Sequence, residues 1–581
     1  MRNYFLASLL ILITEISITH EENQKEKPKY TQCGITSDWT FTNWAKSIET
    51  QSPTVFPKND EELRNYLQTI KANNCKARPV GATHSAGGLV LENNVNNTIA
   101  VSLAFYEPDD TNWTAQIIVE ENSKSVRIPT GKSLLDLVSL LRPKKLFTPS
   151  QTAGFIFAVG GVISNTVHGG YYDKGFINYY VTKMRVMLSS GEIKVIEDKD
   201  EIKYWRQSFG LLGIVTSVEI ELEERDDFTM ATIENDFSSP DFTEEEFNKA
   251  MADTRKNGEI YGEFFFNAYN SQLFSVIFRN TQGDSPNDDS GCYWNYSAGC
   301  CYPEAFCSYQ YKFGDLNFSE SCRIKKKSNF NDIYTTYHIS FPDIPTKGDP
   351  TWIVPGDEYG SEMADIIYRI SKIPLLAHDG SICKTLAGLT SLVTKTMVPK
   401  SQRESDDGYW LRTAPRANIM AYFFRADTLF KAIKAYQNVV YSLLDGSSPV
   451  SRYTTFKFNQ PCEWRYVTLN STLASKYQVP NLEGEFVVIE ALNINDDLDD
   501  FKWGFAQLEH DWLAIGGIPH LGKIWGFDYT LVEKGIRPEP FSKDIARKIM
   551  TPEQKSHFKE YQSKVDPDGL FSGGLAIEFF K

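Results

Sequence analysis

Most short signatures of common nucleotide and hydrolase sites are missing from this chain of 581 residues. No G-x-G-x-x-G follows a first strand and no G-x-x-x-x-G-K-[ST] occurs, which excludes a Rossmann fingerprint and a P-loop. No H-E-x-x-H helix and no G-x-S-x-G elbow is present, which removes the zincins and the α/β-hydrolases. No basic face accompanies the formal charge of −15, so a nucleic-acid surface is not expected. The basic run Arg323–Lys327 reads as solvated. Internal repeats, low-complexity tracts and coiled-coil heptads are absent. No segment approaches the ~20 apolar residues of a membrane span.

The apolar run from Tyr4 to Ile13 has the length of a signal-peptide core, with Arg2 before it and Ser17 and Thr19 at small-residue cleavage positions. Residues 1–19 are therefore expected to be a signal peptide and 20–40 a polar lead-in, for a protein that is secreted or lumenal in the endoplasmic reticulum. Sequons at Asn96, Asn112, Asn295, Asn317 and Asn470 agree with that route. Nine cysteines occur, five of them within Cys292–Cys322. That window has no histidine and no paired C-x-x-C, so local disulfides are expected there rather than zinc, and no metal site is expected elsewhere. The odd total leaves at least one thiol without an intrachain partner.

A hydrophobic fraction of 41% with 13% aromatic residues can fill a large core. Asn59–Asn74 reads as a capped amphipathic helix whose buried face is Leu63, Leu67 and Ile70. "KSLLDLVSLLRP" is a short helix stopped at Pro143. "VTKMRVMLSSGEIKVI" is a hairpin, and "GIVTSVEIEL" is an alternating strand. A boundary is placed near Asp226–Asp227. Beyond it, strands such as "GEFFFNAY" and "FVVIEALNI" alternate with helices such as "TLFKAIKAYQNVVYSLL". A Cys-rich insertion occupies about 283–325.

Two Gly-rich passages stand out, each carrying one histidine: "RPVGATHSAGG" with His84 and "VGGVISNTVHGG" with His168. Such loops can present consecutive N–H groups to an anion. In "CEWRYV", Glu463 and Arg465 are two apart and share one face of a strand, as a surface ion pair or as part of a site. In "HLGK", Lys523 is either a solvated turn residue or a cation held near that site.

In order along the chain, "NWAK", "ARPVGATHSAGG", "VGGVISNTVHGG", "SFGLLGIVTSVEIEL", "CEWRYV", "PHLGKIWG" and "DPDGLFSGG" resemble anchors of the vanillyl-alcohol-oxidase (PCMH-type) FAD-linked oxidases. The resemblance is greatest to the aldonolactone and alditol oxidases. It implies an α+β protein: a two-subdomain PCMH-type FAD-binding domain over 41–226, a cap or substrate domain over 227–510 with an antiparallel sheet flanked by helices, and a segment over 511–581 that closes on the flavin. It also implies FAD bonded covalently to His84. Arg78, Val80, Gly81, Ala82, Thr83, Ser85, Gly160, Gly161, Ser164, Asn165, His168, Ile214 and Val215 would line the cofactor. Glu463, Arg465 and Lys523 would be catalytic, with Glu490 and His520 on the substrate.

The implied reaction oxidises a sugar-derived alcohol, an aldonolactone or polyol, and reduces O2 to H2O2. The alternatives are a dehydrogenase with another acceptor and a binding protein on a decayed scaffold. Membrane-surface association and oligomeric state stay open. The segment "AYFFRA" (Ala421–Ala426) departs from the family's "E-Y-x-x-P", and three single positions depart from its pattern as well. Thr83 replaces a glycine, which predicts a negative φ at that residue. Leu521 replaces a tryptophan. Glu490 stands where the alditol oxidases carry histidine.

Overall fold

Short strands Thr40–Thr42 (β1) and Glu49–Val55 (β2) lead into helix α1, Asp60–Ala72. The Asn59 side chain caps that helix by accepting from Glu62 N, three acidic residues fill its first turn, and Leu63, Leu67 and Ile70 are buried as the spacing requires. This computed structural model describes residues 29–280, 292–295, 300–303, 401–404 and 417–581. Breaks fall at 46, 94, 121–122, 142–143, 153–156, 225–227, 238–240, 256–258, 479–481 and 494–499. The expected signal peptide and most of the Cys-rich insertion, with Cys307 and Cys322, lie outside the described residues.

After α1 come Lys76–Val80 (β3) and Thr98–Ser102 (β4), and the first sheet has the order β1-β2-β4-β3 with β4 parallel to both β2 and β3. Gln116–Glu120 (β5), Ser123–Pro129 (β6), Val181–Met187 (β7), Ile193–Ile196 (β8) and Ile214–Glu221 (β9) build a second, antiparallel sheet in the order β8-β7-β9-β6-β5. Between β6 and β7, Val159–Ser164 forms a helical turn (α2), so the second Gly-rich passage begins as helix rather than loop. Asp60 and Arg185 lock α1 onto β7. Arg185 donates from Nη1 to Asp60 Oδ1 at 2.9 Å and from Nη2 to Oδ2 at 2.6 Å, with both side chains buried.

A third sheet carries the rest of the chain. Phe228–Asp236 (β10), Glu259–Asn267 (β11), Gln272–Asn280 (β12), Ser401–Glu404 (β13), Asn418–Arg425 (β14), Cys462–Leu469 (β15), Gly484–Asn493 (β16) and Ile518–Pro519 (β17) pair antiparallel. Their order is β13-β10-β12-β11-β15-β16-β14-β17. Helices Leu429–Asp445 (α3) and Phe501–Ala514 (α4) cover one face, where Trp464 stacks on Phe264 and Trp512 Nε1 donates to Ala432 O. The other face carries the charged residues described below. After Pro552–Val565 (α5) the tail returns to the first sheet, with Ala77 N donating to Leu570 O and Leu575 N to Gly88 O.

Cys33 and Cys75 form a disulfide across 42 residues of sequence, a pairing the cysteine spacing did not single out. Cys292, Cys300 and Cys301 fall on two short paired strands. Cys462 is a buried free thiol.

Candidate active site

Register brings four charged residues to one sheet face. Glu263 on β11 lies opposite Arg465 on β15, and Glu463 on β15 lies opposite Glu490 on β16. Directly paired residues share a face, as do residues two apart on one strand. Arg465 Nε is 3.4 Å from Glu263 Oε1 and 3.3 Å from Glu463 Oε1, and Nη2 is 3.3 Å from Glu490 Oε1. Lys523 Nζ, from the loop after β17, is 3.9 Å from Glu490 Oε2. All four sheet residues are buried, so the surface-ion-pair reading of Glu463 and Arg465 is excluded.

Sequence reasoning missed Glu263. Its signal was a lone carboxylate in the aromatic strand "YGEFFF", where exposure would be the only cheap alternative to pairing.

The Lys523 loop is held at several points. Buried Glu509 on α4 accepts from Gly526 N at 2.7 Å and Phe527 N at 2.8 Å. His520 N donates to Ala421 O, and Ile524 N to Ile419 O. The His520 ring stacks on Phe423.

Charges in this cluster are set by burial and by one another. Burial pushes the Glu463 carboxyl up to about 7, with Glu490 adding to the shift and Arg465 opposing it. For Glu490, burial also raises the pKa, but Lys523, Arg465 and His520 outweigh it and hold the carboxyl below its usual value. Burial alone would lower Arg465; the surrounding carboxylates, Glu463 first, keep it firmly protonated. His520 falls to about 4 and His84 to about 3, each mainly by burial and then by Lys523. His168 falls well below the usual value through burial and the Arg465 charge.

Two adjoining cavities meet at this cluster. The first, of ≈ 210 Å³, runs between the two Gly-rich passages and ends at Arg465, Glu490, His520 and Lys523. Val80, Gly81, Ala82, Thr83, His84 and Ser85 form one wall. Gly160, Gly161, Ser164, Asn165, His168 and Val215 form the other. Thr130 and Gly131, directly after β6, also line it and were missed. Their signal is a Thr-Gly at a strand end: a Cβ on Gly131 would stand 1.8 Å from Leu103 O.

The second cavity, of ≈ 350 Å³, lies across His84 and reaches Glu463, Arg465, Glu490 and Lys523 from the other side. His520 borders the first cavity and not the second, which places it with the expected cofactor residues.

Three expectations are corrected. The Arg78 guanidinium does not face the cavity. It is fully buried and donates to the carbonyls of Phe209, Gly210, Val90 and Phe571, so it clamps the C-terminal tail to the first loop. Ile214 packs in the core beneath the first sheet, and its neighbour Val215 reaches the cavity instead. Thr83 has φ +55, not a negative value. A left-handed threonine costs ~1–2 kcal/mol, and the backbone is held there by Trp44 N donating to Thr83 O.

The residues that line the first cavity suit FAD. His84 is sandwiched between Trp44, stacked at 4.8 Å, and the edge of Phe157, and its Nε2 is buried without a hydrogen-bond partner. Thr83 Oγ1 is also buried and unbonded. A Cβ on Gly161 would meet nothing within 4 Å, as expected where backbone borders an open cleft. Neutral His84 at physiological pH is the form a nucleophilic imidazole requires.

Comparison with known proteins bears on the same region. Residues 52–197 match a family model described as an FAD binding domain. The L-gulonolactone oxidase of Scyliorhinus torazame is 22% identical over 274 residues, covering 45% of this chain and 56% of that protein. The match thus spans little more than half of that relative. A 43-residue segment is 42% identical to the phospholipid–sterol O-acyltransferase of Arabidopsis thaliana, 7% of either chain.

Among solved structures, a histidine-to-alanine mutant of cholesterol oxidase from Brevibacterium sterolicum superposes with a TM-score of 0.67 at 13% identity, over 97% of this chain and 99% of that one. A solvent-stable cholesterol oxidase gives 0.65 at 14% identity, over 97% and 100%. At such identities the likeness is one of fold.

Proposed function

We propose that this chain, a PCMH-type FAD oxidase related to the aldonolactone oxidases, oxidises an alcohol carbon at the meeting point of the two cavities. The observation that carries this reading is a buried donor with no hydrogen bond beside a buried carboxylate oxygen that is held at ion-pair distance, 3.3 Å from Arg465 Nε, but accepts no hydrogen bond. Arg465 Nη1 and Glu463 Oε1 are both buried and make no hydrogen bond among the described residues. An alcohol oxygen supplies the complement, accepting from Arg465 and donating to Glu463.

The first cavity would hold FAD between the His84 and His168 loops, with His84 as the candidate for a covalent tether, and the bound flavin would supply a two-electron acceptor for the alcohol that O2 can reoxidise. Glu463, with its pKa near neutrality, takes the hydroxyl proton. Arg465 and Lys523 stabilise the negative charge that develops on the oxygen in a site shielded from water. The neutral histidines His168 and His520 add no competing positive charge. Anaerobic addition of substrate should bleach the flavin, and re-aeration should yield one H2O2 per substrate. Bleaching without peroxide would assign the protein to the dehydrogenases, and no bleaching by any alcohol would reject the reading.

Proton acceptance by Glu463 has a pH signature. kcat/KM should rise with pH through about 7. Glu463→Gln should abolish that limb and lower kcat ~10²-fold. The same group links stability to pH. Its folded pKa of about 7 lies above the ordinary glutamate value. Its stabilising contribution is therefore full below the unfolded value and is lost as pH rises through about 7.

The likeness to L-gulonolactone oxidase supports an aldonolactone or polyol; the walls of the second cavity favour another body. The Cys33–Cys75 disulfide and the exposed sequon residues Asn96, Asn112 and Asn470 support a secreted or lumenal location.

A further inference from the structure

The second cavity has polar groups at its two ends and apolar walls between. Its inner end is the Glu463–Arg465–Glu490–Lys523 cluster. Its mouth is marked by exposed Asn93 and by the Lys502–Glu539 ion pair, 2.5 Å between Nζ and Oε2, with Glu539 exposed. Between them the described walls are mostly apolar, with Trp44, Ile48, Ile419, Leu492, Phe501 and Ile524, and Ser47, Thr152 and Asn418 as polar side chains among them. Ile419 and Leu492 sit on neighbouring strands in register with each other and are only partly buried. Partly buried aliphatic side chains on an interior cavity wall are apolar surface that a ligand can cover.

Resting on the oxidation reading above, we propose that the second cavity is the substrate chamber and that it takes an alcohol with a largely hydrocarbon body, its single reactive hydroxyl at the Glu463–Arg465 end. A polyol or aldonolactone would carry several hydroxyls into the apolar waist. Hydroxyls set against Trp44, Ile48, Ile419, Leu492, Phe501 and Ile524 would give up their water there without a replacement partner. A hydrocarbon body loses nothing in the same place and is driven in by removal of apolar surface from water. The inner end needs only one donor and one acceptor, which a single hydroxyl satisfies. At ≈ 350 Å³ the chamber is within the size range of small-molecule sites.

The test uses the holoenzyme and two panels: decahydronaphthol and cyclohexylmethanol against sorbitol and L-gulonolactone. Anaerobic flavin bleaching gives kcat/KM for each. The apolar alcohols should exceed the polyhydroxylated ones by at least tenfold. Leu492→Glu should raise KM for the apolar alcohols at least tenfold with flavin content unchanged, and Ile419→Glu serves if that variant does not fold.

Calorimetric titration of the dithionite-reduced enzyme, which cannot turn over, should show decahydronaphthol binding with a negative heat-capacity change. Equal or faster bleaching by sorbitol or L-gulonolactone overturns the inference and leaves alcohol oxidation standing. Bleaching by none of the four overturns both.

Discussion

Arg465→Ala should lower kcat/KM by about 10²–10³-fold, the range seen when a preorganised donor to a developing oxyanion is removed. The guanidinium touches Glu263, Glu463 and Glu490 at once. Without it three carboxylates face one another with Lys523 as the nearest described cation, and protons will be taken up to relieve the repulsion. The substrate then loses its donor, and the proton acceptor is already occupied. Arg465→Lys restores the charge without the forked geometry and should recover only part of the rate. Its retained flavin separates a chemical defect from a folding one. Wild-type turnover in Arg465→Ala would remove this residue from the reaction.

The largest stability effect is expected far from the chemistry. Arg185→Met strands the Asp60 carboxylate, buried between α1 and β7, and leaves it Tyr106 and the Asp109 backbone N–H as partners among the described residues. Removing one member of such a pair costs about 3–5 kcal/mol. A melting temperature several degrees lower should follow, and Asp60→Leu combined with Arg185→Met should recover most of it.

Linkage gives a second signature. Burial raises the Asp60 pKa, but Arg185 and Tyr106 outweigh it and hold the carboxyl below its usual value. The stability it contributes is present above the unfolded pKa and is lost as pH falls through the depressed one. Arg185 also donates to Thr216 Oγ1, whose strand borders the FAD cavity, so flavin retention should weaken along with stability.

Local physics wrote much of the fold legibly into the sequence. The Asn59 cap, the spacing of Leu63, Leu67 and Ile70, and the Ser-Gly turn between β7 and β8 are all contiguous signals. The glycines around His84 and His168 were legible for a similar reason: a backbone that must approach a large cofactor has few alternatives.

What stayed hidden depends on register between distant strands. Glu263 joins the site only because β11 pairs with β15 across some 200 residues of chain, and no local pattern announces that pairing. Arg78 sits in the right motif yet turns its guanidinium to four carbonyls, which sequence cannot distinguish from a phosphate contact. Thr83 shows that a strained φ can persist where tertiary contacts hold it. The motifs that suggested a sugar substrate reach the chamber mainly at its charged end, through Glu463, Arg465 and Lys523. The chamber walls come from Trp44, Ile419, Leu492, Phe501 and Ile524, single residues on separate elements.

The measurement closest to the centre of this account is acid precipitation of the purified protein. The pellet is washed and its flavin absorbance compared between wild type and His84→Ala. A covalent FAD held at His84 predicts yellow absorbance that stays with the wild-type polypeptide and moves to the supernatant in the variant. Wild-type flavin released into the supernatant, or equal retention in His84→Ala, would contradict the role assigned to that unpaired imidazole.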